Sequence, residues 1–570
     1  YMIPNAIIDL DEFPLTPNKK IDRKALTLKN IKVNIKNDDF KAPVSELEKK
    51  LAIYWKEVLD SKEDISIKAN FFSLGGHSLN AVRLIGLISK ELSFAITLKT
   101  IFDRPTIELL AHYLQSLKVS VPLEIPISEP KLYYCLTPSQ HNIWLASQQK
   151  NTSIAYNMSA GYSVHGIVDL EKIIEAINAI IYKYQILRTN FIEIEGIPYQ
   201  KINAFDKEKF KIIINKLKSE NLAQAIDQFI NTEFNLETDL LIRVELVQVK
   251  TGQILLLFST HHIIMDGFSL EIFTREFTKN YNEENNSAKF LAEDSLKFQF
   301  KDYAEWFSKA LKDDVFDNEL VWEKYLHEYQ NKASFDQDFS NHNNQQNGSK
   351  FLFELDSEVT LALKELAFVQ KVTFYTILAA ALNVLIFKIS NHTDICIGTV
   401  NSGRNSAELN NQIGMFVKTH VLRTQIESDQ SFAVLLKKTQ ENLLLINDYQ
   451  SVPFDKLNAS LFDSMLIYQN PEFSFENINE FNDLKLTSYN VDNKYSRIPI
   501  VFNVFESNGK LKGIIDYNSD LYERETVTII AQKYSNLLRN IGKSTVEKID
   551  LIDVRMDFEK NISFDFDFNF

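Results

Sequence analysis

Cysteine is scarce in this chain of 570 residues, and its scarcity limits the kinds of site that the sequence can form. The only two cysteines, Cys135 and Cys396, lie far apart along the chain. They are too few and too distant for a cysteine-based metal knuckle or a disulfide framework. We therefore expect a reducing, cytoplasmic setting and no structural metal.

Positive charge is in deficit. The sequence has 62 lysines and arginines against 76 aspartates and glutamates, which gives a formal net charge of -14 at pH 7. Nucleic acids and anionic membrane surfaces are negatively charged and attract proteins with a positive net charge. We expect neither of them to be a partner.

Long apolar runs are absent as well. The most membrane-like stretch, Phe374 to Ile389, is interrupted by Thr376 and Asn383. A membrane-spanning helix needs about 20 consecutive apolar residues, so this stretch predicts a buried helix. No secretory signal opens the chain, which starts Tyr1-Met2-Ile3-Pro4, and we expect it to be part of a longer protein.

The composition is that of a globular protein, with 45% hydrophobic and 24% charged residues. The length predicts several core units. We predict a multidomain fold in which a small four-helix bundle precedes a two-lobed α/β unit. The predicted boundaries are a turn-rich tail and linker at 1–41, the bundle at 42–118, a linker at 119–130, lobes at 131–310 and 311–545, and a tail at 546–570.

Helical signals define the bundle. Apolar residues recur with helical period from Ser45 to Leu59, after a start that suits an N-cap. A second helix is predicted to begin at Ser78, and a third after Pro105, which suits a first helical turn.

Ser78 follows two glycines at the start of its predicted helix. A serine there commonly caps the helix with its hydroxyl group. The alternative is that the glycines keep the loop open, so that a modifying enzyme can reach the hydroxyl.

A second motif follows the apolar strand Ile254 to Phe258, where the sequence reads His261-His262-Ile-Ile-Met-Asp266-Gly267. An imidazole at a strand end can be held in a cleft and can accept a proton near neutral pH. The histidines can also be purely structural, and Asp266 can be an ordinary loop cap. Zinc is not expected, because no third ligand lies at suitable spacing.

The segment from Asn70 to Leu79, NFFSLGGHSL, resembles the phosphopantetheine attachment site of peptidyl carrier proteins. The resemblance implies that Ser78 carries 4′-phosphopantetheine, attached by a phosphopantetheinyl transferase, whose thiol holds an aminoacyl or peptidyl thioester. The stretch from Pro14 to Leu26 resembles the last motif of adenylation domains. Lys20 stands at the position of their catalytic lysine, and Lys19 stands where that motif usually has glycine. The partner implied is an upstream adenylation domain, and adenylation by this chain is not expected.

The His-His-x-x-x-Asp-Gly motif resembles that of condensation domains in nonribosomal peptide synthetases. Five other stretches resemble further motifs of that family in the same order, namely Thr137–Trp144, Ile186–Phe191, Tyr303–Trp306, Ile413–Thr419 and Tyr449–Asp455. The resemblance implies two chloramphenicol-acetyltransferase-like lobes in a V, with a tunnel between them. It also implies amide formation, in which an acceptor aminoacyl thioester on a downstream carrier attacks a donor thioester.

The resemblance assigns roles to single residues. His262 is the histidine on which the chemistry depends, either as a base or by positioning substrates, and His261 is structural. Asp266 is expected to form an ion pair with Arg404. Gly267 is expected to let a backbone N–H approach the tetrahedral oxyanion.

The sequence departs from the family pattern at three places. Tyr184-Gln185 stands where His-Glu is usual, Lys418 where Asn is usual, and Tyr449 where His is usual. None of these positions lies in the His261–Gly267 motif, and we expect them to alter lobe contacts or the acceptor side of the tunnel.

Three alternative functions use the same fold. Epimerisation shares the paired-histidine motif, although the stretch through Ala155–Met158 is more similar to condensation domains that take an L-configured donor. Ester formation with a hydroxyl acceptor would use the same residues. A non-catalytic scaffold that recruits a partner enzyme is disfavoured by the intact motif from His261 to Gly267.

Overall fold

The structure is a computed structural model that covers most of the chain. It describes residues 40–555 apart from 62, 73, 75, 77, 93, 95, 97, 117–124, 149–152, 167, 218–220, 251, 283–295, 330–332, 341–345, 405–406, 450–460, 470–483, 490, 492–494, 508 and 544–547. The tail with Lys19 and Lys20 lies outside these residues.

Four helices form the N-terminal bundle: α1 (Glu46–Leu59), α2 (Ser78–Leu92), α3 (Leu98–Asp103) and α4 (Ile107–Ser116). Ser45 caps α1 in a capping box, in which its side chain accepts from the amide of Glu48. The core includes the fully buried side chains of Leu51, Trp55 and Phe71. The helix starts predicted at Ser45, at Ser78 and after Pro105 are confirmed.

The N-terminal lobe follows, with a three-stranded sheet in the order β1-β4-β3 and a five-stranded sheet in the order β12-β2-β7-β6-β5. Its elements are β1 (Tyr134–Cys135), α5 (Pro138–Ser147), β2 (Asn157–Gly166), α6 (Leu170–Lys183), β3 (Thr189–Ile194), β4 (Ile197–Ile202), β5 (Ile212–Leu217), α7 (Leu222–Ile230), β6 (Ile242–Val249), β7 (Ile254–His261) and α8 (Gly267–Asn282).

The C-terminal lobe contains a six-stranded sheet in the order β10-β9-β11-β13-β14-β8. Its elements are α9 (Phe300–Leu326), β8 (Gly348–Leu355), α10 (Ser357–Gln370), α11 (Phe374–Ser390), β9 (Asp394–Asn401), β10 (Lys418–Gln425), α12 (Phe432–Asp448), β11 (Ser464–Gln469), β12 (Leu484–Tyr489), β13 (Ile500–Ser507), β14 (Lys510–Asn518) and α13 (Arg524–Ile541).

The N-terminal lobe includes a strand from the C-terminal part of the chain. Strand β12 comes from the C-terminal part of the chain, yet it pairs antiparallel with β2 in the sheet of the N-terminal lobe. Helix α9 runs straight through the predicted boundary between residues 310 and 311. The lobes are therefore not two consecutive pieces of chain, and the division at 310/311 stays a prediction.

Helix α11 is the buried helix predicted from Phe374 onward. All of its residues from Thr376 to Ile386 are buried, which includes the polar Thr376 and Asn383. Asn383 donates to the hydroxyl of Thr424 at 2.9 Å. Among the described residues no single helix is long and apolar enough to cross a membrane. Helices α10 and α11 together have the length and composition of a membrane-spanning segment, but the chain bends by 104° between them.

Two stretches that were predicted to be a linker and a tail contain residues that pack against the lobes. Within the predicted linker 119–130, Ile125 is buried in the core of the N-terminal lobe, and Ser128 donates to Asp302 through both its amide and its hydroxyl. Within the predicted tail 546–570, Ile549 and Ile552 are buried in the core of the C-terminal lobe. Both stretches contain apolar side chains, and burying these side chains away from water stabilises the folded state.

Candidate active site between the lobes

Strand β7 presents the histidine motif at its C-terminal end. Its last residue, His261, pairs with Asn157 of β2, and the amide of His262 donates to the carbonyl of Tyr156 at 2.9 Å. Ile263, Ile264 and Met265 follow and are fully buried. Because the turn is held by backbone pairing before it and by apolar burial after it, the position of His262 is set by both.

The two histidines differ in burial. The side chain of His261 is fully buried, and its ring lies 6.1 Å from the Tyr156 ring and 6.2 Å from the Phe234 ring. Its Nδ1 accepts from the amide of Ile263 at 3.3 Å. His262 keeps part of its surface accessible. The structure thus encloses His261 and leaves part of the His262 surface accessible.

Burial keeps both imidazoles neutral. It lowers the pKa of His261 to about 3, and the neighbouring His262 acts in the same direction. The pKa of His262 also lies below its ordinary value of 6.5, first because of burial and then because of the positive charge of Arg497, while Asp266 opposes the shift. A neutral imidazole is the form that accepts a proton.

Asp266 is a fully buried carboxylate with partners from both lobes. Its Oδ1 accepts from the amide of Ser269 at 2.7 Å, which caps α8. Its Oδ2 accepts from the amides of Phe416 at 3.0 Å and Val417 at 3.2 Å, from the other lobe. Asp266 therefore joins the histidine loop to the segment that leads into β10.

Arg404 is also fully buried and reaches Asp266 at 3.3 Å from Nη2 to Oδ1. The same Nη2 donates to the Ser269 hydroxyl at 2.9 Å, and Nη1 donates to the carbonyls of Leu409 and Gln412. The Phe416 ring covers its guanidinium at 4.2 Å. Burial lowers the pKa of Arg404, and Asp266 opposes this shift. The structure brings together the two side chains that were predicted to pair.

Gly267 begins α8 and is exposed. A Cβ atom at this position would meet no atom within 4 Å. Glycine is therefore not required there by backbone strain or by packing within the chain. The open space beside it is room for another molecule.

Ser78 is the first residue of α2. The loop before it includes Gly76, where a Cβ atom would lie 2.5 Å from the Phe71 ring and 2.7 Å from the Phe71 carbonyl oxygen. Only glycine fits this close approach. A helix N-terminus favours a phosphate group on Ser78, so this position suits a phosphopantetheine attachment. The neighbours Gly75 and His77 lie outside the described residues.

The bundle contacts the C-terminal lobe. Helix α2 lies against the 3₁₀ helix Ala407–Asn411, and α3 lies against α12. Leu444 of α12 packs on the bundle core. The contact surface includes the segment just after Arg404, so the bundle and the candidate site share neighbours.

The departures from the family pattern lie in defined surroundings. The Tyr184 hydroxyl donates to the carbonyl of Asn411, and the amide of Gln185 donates to Oε1 of Gln299 at 3.0 Å. Lys418 is half-buried, with its Nζ 4.4 Å from the centre of the Phe307 ring, and burial lowers its pKa to about 8. Tyr449 offers its carbonyl to Trp322.

Sequence reasoning missed two residues of this site. The Ser269 hydroxyl accepts from Arg404 and from the amide of Gly414, and it donates to the carbonyl of Gly414. Its place three residues after Asp266 is a capping signal that could have pointed to it. Arg497, which lies over the Tyr156 ring at 3.7 Å, has no local signal, because it reaches the site from the far end of the chain.

Comparison with known families supports this description. The family model of the condensation domain matches residues 131–562, and that of the phosphopantetheine attachment site matches residues 49–114. The chain belongs to the condensation domain family, and a carrier domain precedes its condensation domain. The predicted fold class, a carrier bundle followed by a two-lobed α/β unit, is confirmed.

Curated relatives align over nearly the whole chain. Bacitracin synthase 3 of Bacillus licheniformis is 32% identical over 575 residues, which cover 98% of this chain and 9% of that protein. Gramicidin S synthase 2 of Brevibacillus brevis is 30% identical over 582 residues, which cover 99% of this chain and 13% of that protein. The chain thus spans only a small part of the length of these relatives.

Solved structures share the fold. The X-domain from teicoplanin biosynthesis is 19% identical with a TM-score of 0.68, and the match covers 75% of this chain and 99% of that one. A four-domain nonribosomal peptide synthetase bound to AMP and glycine is 21% identical with a TM-score of 0.66, covering 78% of this chain and 35% of that one.

Proposed function

We propose that this chain carries a donor acyl group as a thioester on a phosphopantetheine arm at Ser78 and joins it to an acceptor amine. The reaction is peptide-bond formation in nonribosomal peptide synthesis. The arm supplies a thiol that holds and delivers the acyl group. The acceptor is an aminoacyl thioester on a second carrier, and an upstream adenylation domain activates the donor.

The observation that carries this proposal is the placement of His262. It is a neutral, partly accessible imidazole at the end of β7, whose neighbours on both sides are buried. The exposed Gly267 beside it leaves open space for the reacting groups. A histidine with only a structural role would have the enclosure that His261 has.

The reaction needs a proton acceptor and a defined geometry. The acceptor nitrogen forms a bond to the donor carbonyl carbon, the carbon–sulfur bond breaks, and the departing sulfur takes up a proton. The amine loses one proton, which His262 accepts and can pass to the departing sulfur. Holding the two acyl groups together contributes as well, because it makes the encounter local.

Asp266 and Arg404 position this site without touching the reacting atoms. Their contacts join the histidine loop to Phe416 and Val417 in the other lobe, so the two walls of the site stay in register. Gly267 contributes its backbone N–H at the start of α8, where the helix dipole favours a developing negative oxygen.

Reconstitution followed by intact-protein mass tests the proposal. A phosphopantetheinyl transferase loads the chain with aminoacyl arms, a separately loaded acceptor carrier is added, and wild type is compared with His262→Ala. We expect the donor acyl mass to move to the acceptor in wild type only. His420→Phe, which removes another buried histidine, is the matched control and should retain transfer; Ser78→Ala should accept no arm.

The same experiment separates the alternatives. Transfer that persists in His262→Ala would show that His262 is dispensable. Loading without transfer, over a panel of donors, would favour a recruiting scaffold. A hydroxyacyl acceptor tests ester formation, and hydrolysis with chiral analysis of the donor tests epimerisation.

We also propose a cytoplasmic location. Cys135 and Cys396 are both free, and Cys396 is buried. Free thiols and a thioester-bearing arm suit a reducing compartment.

A further inference from the structure

Arg497 is a cation that the C-terminal lobe supplies to the candidate site. The backbone around it is fixed: Tyr495 forms a bridge with Asn347, and the amide of Ser496 donates to the carbonyl of Gln346 at 3.0 Å. Strand β13 begins three residues later, at Ile500. Arg497 therefore extends from a rigid strand entry and not from an unattached loop.

The guanidinium of Arg497 packs against Tyr156 of the N-terminal lobe. Its Cζ is 3.7 Å from the centre of the Tyr156 ring, an arrangement in which the aromatic face attracts a cation. Arg497 is itself exposed, and among the described residues it forms no ion pair with a carboxylate. Its charge is thus held in place by the ring, and no carboxylate among the described residues neutralises it.

Tyr156 connects this cation to the histidines. The carbonyl of Tyr156 accepts from the amide of His262 at 2.9 Å, and its ring faces the ring of His261. The charged groups that act on His262 are Arg497 and Asp266, with opposite effects. Asp266 already pairs with Arg404 and accepts from three backbone amides, so its negative charge is largely compensated.

We propose, on the basis of the function proposed above, that Arg497 is a positioning residue whose charge, held over the Tyr156 ring beside the His262 loop, adds to burial in disfavouring a protonated His262. A protonated His262 would bring a second positive charge beside the guanidinium. The repulsion between like charges disfavours that form. In the same way, the positive charge of Arg497 stabilises negative charge that develops on a substrate oxygen beside His262.

The protonation of His262 can be measured directly. The chain is labelled with ¹³C in its histidine rings, and the His262 signal, one of ten, is identified by its loss in His262→Gln. We expect Arg497→Gln to raise the pKa of His262 by about half a pH unit or more. Arg497→Lys keeps the charge and should restore most of the wild-type value.

Two controls separate the charge from the fold. Tyr156→Phe keeps the aromatic face and should leave the pKa of His262 near that of wild type, whereas Tyr156→Leu should raise it. Added salt screens an exposed charge, so it should raise the pKa of His262 in wild type and have little effect in Arg497→Gln. If Arg497→Gln fails to fold, the salt series on Tyr156→Leu against wild type decides the question, because Tyr156→Leu removes the ring that holds the cation.

An unchanged pKa in a folded Arg497→Gln overturns the proposal, even if peptide transfer is lost. A raised pKa in Arg497→Gln together with rescue by lysine supports it. If wild type does not transfer the donor at all, the proposed function fails while the titration still reports whether Arg497 controls His262.

Discussion

At the scale of single residues, this site depends on how differently its charged and titratable groups are buried. His261 and His262 are neighbours in sequence, yet His261 is fully buried among aromatic rings and His262 is only half-buried. Asp266 and Arg404 are both fully buried and contact each other and backbone groups. Burial thus distinguishes residues that are adjacent in sequence.

Removing the charge of Asp266 should destabilise the condensation domain. Asp266→Asn leaves the buried guanidinium of Arg404 without its counter-charge, and breaking a buried pair in this way typically costs about 3–5 kcal/mol. The thermal unfolding midpoint is the measurement, and it should fall well below that of wild type. His262→Ala should unfold near the wild-type midpoint, and Asp429→Asn, at an exposed position, is the matched control. An unchanged midpoint for Asp266→Asn would contradict a structural role of the pair.

Lys418 should reduce stability at neutral pH. Burial against Phe307 lowers its pKa to about 8 from 10.5, so the folded state carries an unfavourable charge below pH 8. Lys418→Met should therefore stabilise the chain by about 1–3 kcal/mol at pH 7. The gain should shrink as the pH rises from 8 towards 10.5, because the folded lysine then loses its proton and removing that proton costs less at each higher pH. Thermal melts at pH 7 and pH 9.5 measure it, with the exposed Lys437→Met as the control.

At the scale of elements, the segment between β9 and β10 holds the lobes together. It carries Arg404, and its residues Leu409, Ile413 and Phe416 pack into the core of the N-terminal lobe. Gly403 starts the turn with a φ of +66°, and a Cβ atom there would overlap the carbonyl oxygen of Phe416. The backbone path of this segment therefore depends on one glycine.

Substituting that glycine should displace the segment. Gly403→Ala adds both an unfavourable φ and an overlap with Phe416, and we expect a loss of at least about 2 kcal/mol. Gly509→Ala is the matched control, since Gly509 has a φ of +74° but open space around its Cβ position. Unfolding midpoints and peptide transfer should both fall further for Gly403→Ala. Equal losses in the two variants would mean that the overlap with Phe416 is relieved without cost.

At the scale of the whole molecule, burial of histidine in both lobes couples stability to pH. His261 lies in the N-terminal lobe and His420 in the C-terminal lobe, and burial lowers the pKa of each to about 3. The unfolded chain binds protons at these residues below about pH 6.5, whereas the folded chain does not bind them until near pH 3. Stability is therefore lost as the pH falls through this window.

Replacing His420 should make the chain less sensitive to acid. His420→Phe preserves an aromatic ring against Trp322, with which His420 stacks at 5.9 Å, but removes the titrating group. Between pH 6 and pH 4, its free energy of unfolding should fall less steeply than that of wild type, by about 1.4 kcal/mol per pH unit. Denaturant titrations across this range measure the slope, and the exposed His392→Phe is the control. Parallel slopes for His420→Phe and wild type would refute the buried neutral state.

Local patterns in the sequence were sufficient for much of the architecture. The cap at Ser45, the helix start at Ser78, the apolar run of α11 and the strand before His261 are decided by residues close together in the chain, so they could be predicted. The candidate site was predicted in part. His262 and Asp266 share one motif, but the pairing of Asp266 with Arg404, 138 residues away, was expected only by resemblance.

The sequence by itself determined which segments become helices and strands and which residues can do chemistry, because these depend on short-range periodicity and on side-chain type. Only the tertiary structure decided which histidine is accessible and that β12 completes the sheet of the other lobe. It also decided that Arg497 reaches Tyr156 from the opposite lobe. These relations arise from the packing of segments far apart in the chain, and no local pattern records which distant segments will meet.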